Sequence, residues 1–279
     1  PSPNPGNKED WDAILDLYYA RDVFAGALDS AIAEVEQKLH GTDHRRNLII
    51  TIPYPGPLQT QFGKIDGKPL NFSVVGQNRD QATRDRLTAC QWFVEQAIER
   101  FEAANYDHLH LLGFYWTFET VYVSWDIDDH WLLKELRQFI HHKGKKLFWI
   151  PFYSSYNIHL LDDYRNYYFD CAFLQPNYMF YKSITDVDQA AHAAKQRNAG
   201  IEMEFYASLD EPIGVKDEKF KRFDRYLDGG IEFGYMKESA CAWFDGGKAI
   251  YQLYKHWNPV EREYYDKIYQ FIKGTYKAD

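Results

Sequence analysis

Short apolar runs alternating with helix-period segments constrain this chain more than any other feature. Strands are expected at 48–52, 108–116, 146–153, 169–174, 201–205 and 240–244. Each is rich in β-branched or aromatic residues and stops at Pro, Gly or polar residues. Between them the apolar spacing predicts helices over 80–101, 126–142, 186–198, 217–228 and 260–273, with a short helix or turn over 157–166. A leading helix is expected over 11–39, from Trp11, Ile14, Leu15, Tyr18, Leu28, Ile32, Val35 and Leu39, stopped at Gly41. Residues 58–80 are polar, with Gly63, Gly67 and Gly76, and their length suggests a functional loop. Strand–helix alternation implies parallel strands joined by right-handed crossovers. The expected fold class is therefore α/β, a (β/α)8 TIM-type barrel. Six strands are counted where eight are needed, so either the sheet is open or the chain carries strands 3 to 8 and lacks the first two; the long loops after the strands favour the second reading. The whole of 1–279 then forms a single, partial domain.

Composition narrows the partners. The formal net charge is −9 and no Lys/Arg block is present, which argues against nucleic acid. No apolar run approaches the ~18–20 residues of a membrane span. No signal peptide is visible at Pro1-Ser2-Pro3-Asn4-Pro5-Gly6, where a leader removed beforehand would leave no trace. Twenty-two Tyr, nineteen Phe and eight Trp exceed the needs of a core of this size. Part of this surplus suits a groove paved with flat rings, on which the apolar faces of sugars stack. Cys90, Cys171 and Cys241 are odd in number and far apart, with no metal-ligand spacing and no disulfide framework. They read as small buried apolar residues and leave the compartment open.

Polar chemistry in a parallel-strand barrel collects just past the carboxyl ends of the strands. Gly113-Phe114-Tyr115-Trp116-Thr117-Phe118-Glu119 is such an end, and Glu119 is its single carboxylate. Glycoside hydrolysis needs two carboxyl groups, one to protonate the leaving oxygen and one to attack or activate water. The run Ile201-Glu202-Met203-Glu204-Phe205 offers the second. Alternation puts Glu202 and Glu204 on one face. Glu204 lies nearer the carboxyl end and reads as nucleophile, with Glu202 deeper as an orienting partner. The bland alternative is a pair of salt-bridged glutamates and a solvated loop residue at 119. Tyr54, Tyr115, Trp116, Tyr153, Gln175, Asn177 and Tyr178 also fall just past strands and read as substrate-binding residues. Gln175 and Asn177 both donate and accept, which suits vicinal hydroxyls, and Tyr178 is placed to hydrogen-bond a carboxylate. Asp245 either closes the site or caps a turn. The expected carboxyl separation is about 5–5.5 Å for a retaining enzyme and about 6.5–9.5 Å for an inverting one. The histidine pairs His40/His44, His108/His110 and His141/His142 lack partners at ligand spacing, so no metal is expected. No phosphate loop, nucleophile elbow or Cys-His signature is present, so no cofactor is expected.

Gly-Phe-Tyr-Trp at 113–116 followed by Glu119, Trp-Ile-Pro-Phe-Tyr at 149–153, Leu-Gln-Pro-Asn-Tyr-Met-Phe at 174–180 and Ile-Glu-Met-Glu at 201–204 resemble a bacterial family, domain-of-unknown-function family 4855. That family is similar to TIM-barrel glycoside hydrolases. The resemblance implies two further strands upstream, polysaccharide degradation, and a secreted, periplasmic or cell-surface location. Retaining barrel glycosidases place the acid/base after the fourth strand and the nucleophile after the seventh. With two strands absent, Glu119 and Glu204 take those places. Phe118 stands where such enzymes usually carry an Asn before the acid/base. The expected partners are a carbohydrate substrate and either the missing N-terminal strands or another domain. The rival readings are a non-catalytic carbohydrate-binding barrel and a structural domain of a larger exported protein.

Overall fold

A computed structural model of the chain describes residues 5–41, 45–155, 158–181, 183, 186–206, 211, 213–255 and 259–278. His44 and position 157, where the short helix was expected to begin, lie outside the described residues. The chain forms two compact units. The first takes Pro1–Trp149 and Arg165–Asp170, and the second takes Ile150–Tyr164 and Cys171–Asp279.

The first unit opens with α1 (Lys8–Tyr18), capped by reciprocal hydrogen bonds between Asn7 and Asp10. Its buried face sets Trp11 edge-on to Phe62 at 4.9 Å and to Phe93 at 5.7 Å. The helix expected over 11–39 is in fact two, because the chain turns before α2 (Phe24–Leu39). The turn lays the carbonyl of Arg21 against Gly26, where a Cβ would sit 2.3 Å from that oxygen. Only glycine permits the approach. The apolar period of α2 predicted a helix correctly but not its burial, since Leu28, Val35 and Leu39 remain exposed.

Next come β1 (Arg46–Ile52), a small antiparallel hairpin of β2 (Gly63–Ile65) and β3 (Lys68–Leu70), and the long α3 (Arg79–Ala104). They are followed by β4 (Leu109–Trp116), α4 (Asp129–His142) and β5 (Lys146–Trp149). β1, β4 and β5 run parallel, and the register aligns Ile52 with Trp116 and Trp116 with Trp149, so their carboxyl ends are level. Asp170 holds the start of β5. It accepts from the Leu147 N–H at 2.8 Å, Arg137 at 3.1 Å and His141 at 2.8 Å. Phe169 stacks on Trp149 at 4.9 Å. Both residues are therefore engaged away from the strand expected over 169–174, which starts only at Cys171.

The second unit has a 3₁₀ turn at Ile158–Asp162, and the short α5 (Tyr164–Tyr167) follows it across the unit boundary. Then come β6 (Cys171–Leu174), α6 (Asp188–Gln196), β7 (Gly200–Tyr206), α7 (Ile213–Glu232), α8 (Tyr235–Glu238), β8 (Cys241–Gly246), α9 (Ala249–Lys255) and α10 (Pro259–Ile272). β6, β7 and β8 are parallel neighbours. β7 is buried along every residue except Tyr206, as a strand covered on both faces is. Phe205 meets Phe223 of α7 at 4.4 Å, and Phe220 of α7 stacks on Tyr264 of α10 at 4.4 Å.

The α/β class stands, but the (β/α)8 barrel does not form. Among the described residues the parallel strands number three in the first unit and three in the second, part of a barrel's complement. Among the described residues β1 pairs with β4 alone and keeps an open edge, which a closed barrel does not have.

Candidate carboxylate site

Glu204 sits near the carboxyl end of β7 with 1% of its surface exposed. A buried carboxylate is costly unless hydrogen bonds replace its water. The Tyr226 hydroxyl donates to Glu204 Oε2 at 2.5 Å, and the Asn177 N–H donates to the same oxygen at 2.7 Å. Tyr226 comes from the inward face of α7, and its oxygen also accepts from the Met179 N–H at 3.1 Å. Burial first, and then the neighbouring Glu204 charge, push the Tyr226 hydroxyl well above the ordinary tyrosine range. Tyr226 is therefore a neutral donor throughout physiological pH. Asn177 reaches its place by a left-handed backbone, φ 59°, a conformation that Asn adopts at less cost than most residues. Its main chain, not its amide group, faces the carboxylate oxygen.

The β7–β8 register places Phe244 beside Glu204 and Gly246 beside Tyr206. Glu202, Glu204 and Tyr206 share one face by alternation, with Ala242, Phe244 and Gly246 next to them. Phe180, from the segment after β6, lies 5.9 Å from both the Tyr206 and Phe244 rings. All three rings are exposed. Gly246 makes the arrangement possible, because a Cβ there would lie 2.2 Å from the Tyr206 ring. The carboxylate thus has aromatic neighbours in contact with water.

Other expected site residues of this unit take different places. The Gln175 amide donates to the Ile150 carbonyl at 3.1 Å, tying down the segment after β5. Tyr178 lies under the Arg222 guanidinium at 5.5 Å, and the hydroxyl that meets Glu204 belongs to Tyr226 instead. Glu202 is buried one alternation deeper than Glu204. Asp245 points to the opposite face and accepts from the Ile250 N–H at 2.8 Å, so it caps the start of α9. Tyr153 lines a separate cleft of about 460 Å³ with Ile158, Leu161, Gln189, His192 and Arg197.

In the first unit Glu119 follows β4 and is exposed, whereas the preceding Trp116 is fully buried. Trp116 meets the Tyr54 ring edge-on at 5.5 Å, and Phe118 stacks on Tyr54 at 4.0 Å. The Tyr54 hydroxyl donates to Asp129 at 3.0 Å. Asp129 and Arg86 form a buried ion pair at 2.6 Å. Burial, reinforced by the Asp129 charge, raises the Tyr54 hydroxyl above its ordinary range. Tyr54 is held as a platform with its polar end already engaged. Tyr115 points to the opposite face of β4 from Trp116.

The family model described as a domain of unknown function, DUF4855, matches residues 2–270. The chain belongs to that family. No curated protein and no solved structure matches it.

Sequence reasoning missed three parts of this DUF4855 domain. Tyr226 reads in sequence as one more inward residue of an amphipathic helix, alongside Phe220, Phe223 and Leu227. Its signal was its polar tip at an apolar position, since a buried tyrosine hydroxyl usually finds a partner. Phe180 and Phe244 border segments already singled out, but a lone Phe carries no sign of exposure. The loop expected over 58–80 holds the β2–β3 hairpin and a cleft of about 560 Å³. Within that cleft the buried Asp85 accepts from Lys68 at 2.9 Å and Gln81 at 2.8 Å. Among the described residues no group of three or more His, Cys, Asp and Glu is arranged to hold a metal ion. No helix among them is long and apolar enough to cross a membrane.

Proposed function

We propose that this DUF4855 domain is a glycoside hydrolase acting on a polysaccharide or glycan, with Glu204 as the ionised carboxylate. The observation that carries the reading is a buried carboxylate held by one tyrosine hydroxyl and one backbone N–H, with exposed aromatic rings beside it. Hydrogen-bond donors aimed at a carboxylate favour its charged form, which a nucleophile or a stabiliser of an oxocarbenium ion requires. Flat rings accept the apolar faces of sugars. Glu119, the exposed carboxyl after β4, is the proposed acid.

In the retaining form of the reaction, a Glu204 oxygen attacks the anomeric carbon as a carboxylic acid gives its proton to the departing oxygen. That second group then takes a proton from water, the hydroxide adds to the anomeric carbon, and the bond to Glu204 breaks. Two carboxyl groups and one water balance the cycle.

The test is a panel of neutral and charged polysaccharides, read by release of reducing ends. Glu119→Gln is expected to lower turnover roughly 10²–10⁴-fold, the usual size of a general acid's contribution. That loss should shrink on aryl glycosides, whose leaving groups need no proton. Glu204→Gln is expected to abolish turnover on both. Hydrolysis that survives Glu204→Gln would refute the assignment. A second reading is a carbohydrate-binding domain without turnover, favoured by the engagement of Glu204 Oε2 in two structural hydrogen bonds. Saturable binding without product from any polymer would support it.

A further inference from the structure

The β4–α4 segment displays Trp125 with 79% of its surface exposed. An indole offers more apolar area than almost any side chain, and burying it is normally a large gain. Here the chain forgoes that gain in a segment that is otherwise tightly fixed. Val123 and Asp128 form an antiparallel bridge, and the Ser124 N–H donates to the Ile127 carbonyl at 2.9 Å. The Ser124 hydroxyl donates to Asp126 at 2.6 Å, and Arg79 clamps the Ser124 carbonyl at 3.0 Å. The base of the turn is anchored by Asp129, which accepts from the Tyr122 N–H at 3.2 Å and pairs with the buried Arg86. Trp125 therefore stands at the tip of a pre-ordered hairpin, and a ligand that stacks on it need not order the loop.

Charge selects among ligands for such a ring. Residues 118–130 contain Glu119, Asp126, Asp128 and Asp129 and no Lys or Arg, within a chain of net charge −9. Arg86 pairs with Asp129 and Arg79 lies 3.8 Å from Asp128, which leaves acids in excess at the turn. That excess disfavours anionic headgroups, nucleic acid and acidic polysaccharides. An uncharged sugar chain is not disfavoured. The base of the same turn carries Tyr122, whose ring meets Phe118 at 5.6 Å, and Phe118 in turn stacks on Tyr54. Aromatic surface thus continues from the strand end that bears Glu119 toward the tip.

We infer that Trp125 is an outlying stacking ring for an uncharged polysaccharide, so that the ligand is a chain of several sugar units. This rests on the carbohydrate reading above but not on turnover. The experiment is affinity electrophoresis of the full chain in gels containing xylan, galactomannan, hydroxyethylcellulose, mixed-linkage glucan or polygalacturonate. It is run in wild type and in Glu204→Gln, where nothing should be cut. At least one neutral polymer should retard both. Trp125→Ala should weaken that retardation on the order of tenfold, the scale of a buried tryptophan anchor, and Trp125→Phe should restore part of it. The wild-type-minus-Trp125→Ala fluorescence difference should quench or shift blue on binding the same polymer. Equal retardation of Trp125→Ala and wild type overturns the inference, as does retardation by polygalacturonate alone or by none of the polymers. Weaker binding in Trp125→Ala with no reducing ends released from wild type supports the stacking ring and removes the hydrolase. Hydrolysis with Trp125→Ala bound as tightly as wild type removes the stacking ring and leaves the hydrolase.

Discussion

Tyr226 is the residue on which the setting of Glu204 turns. Removing its hydroxyl leaves a buried carboxylate with one donor fewer and the Met179 N–H without its acceptor. Tyr226→Phe is therefore expected to cost about 1–3 kcal/mol of stability, more than a typical surface change. Urea unfolding monitored by tryptophan fluorescence checks it, and a shift of the midpoint at constant slope is the expected form. Glu204 itself was legible in sequence, because a charged residue alternating with apolar ones inside a strand is rare enough to stand out. Its donors were not. One is a side chain 22 residues away on α7, and another is a main-chain N–H that no side-chain pattern encodes. A hydroxyl that meets Glu204 belongs to Tyr226, and sequence spacing near Tyr178 does not show it, since reach across space is not visible from spacing.

At the scale of elements, the Arg86–Asp129 pair links α3 to the start of α4 and holds Tyr54 between them. Arg86 also donates to the Pro55 carbonyl at 2.7 Å, so it fixes the segment after β1. Arg86→Met leaves a buried carboxylate without its cation, at an expected cost of about 3–5 kcal/mol. Arg86→Met with Asp129→Leu should recover part of that loss, because no uncompensated charge remains. Thermal unfolding of the two variants beside wild type decides it. Strands and most helices were readable to within a few residues, since their apolar periods are strong. The β2–β3 hairpin was not, because each strand has only three residues and carries no run long enough to register. The break between α1 and α2 was hidden for another reason. The apolar period continues across it, and only the tight packing around Gly26 requires the turn.

For the whole molecule, buried tyrosines make alkaline stability a measurable property. Burial raises the Tyr54, Tyr226 and Tyr235 hydroxyls above their ordinary range in the folded chain. In the unfolded chain they ionise near pH 10. The stabilisation is therefore complete below about pH 10 and is lost as pH climbs from there toward the folded-state values. Denaturant midpoints measured from pH 8 to 11 should hold steady at first and then fall, with a smaller fall in Tyr226→Phe. The parallel strands were legible in sequence and number six among the described residues, as read, but the inference from that count to a (β/α)8 barrel was not sound. Alternating strands and helices specify parallel pairing, whereas closure depends on partners that pairing alone does not supply. The path of the chain between its two units has a practical consequence for anyone dissecting it. The backbone leaves the first unit after Trp149, returns for Arg165–Asp170 and leaves again. A fragment ending at 149 would discard Phe169 and Asp170, the stacking ring under Trp149 and the acceptor of the Leu147 N–H. One scission cannot yield two whole halves of this molecule; its units are interleaved in sequence, and must be made together or re-stitched by circular design.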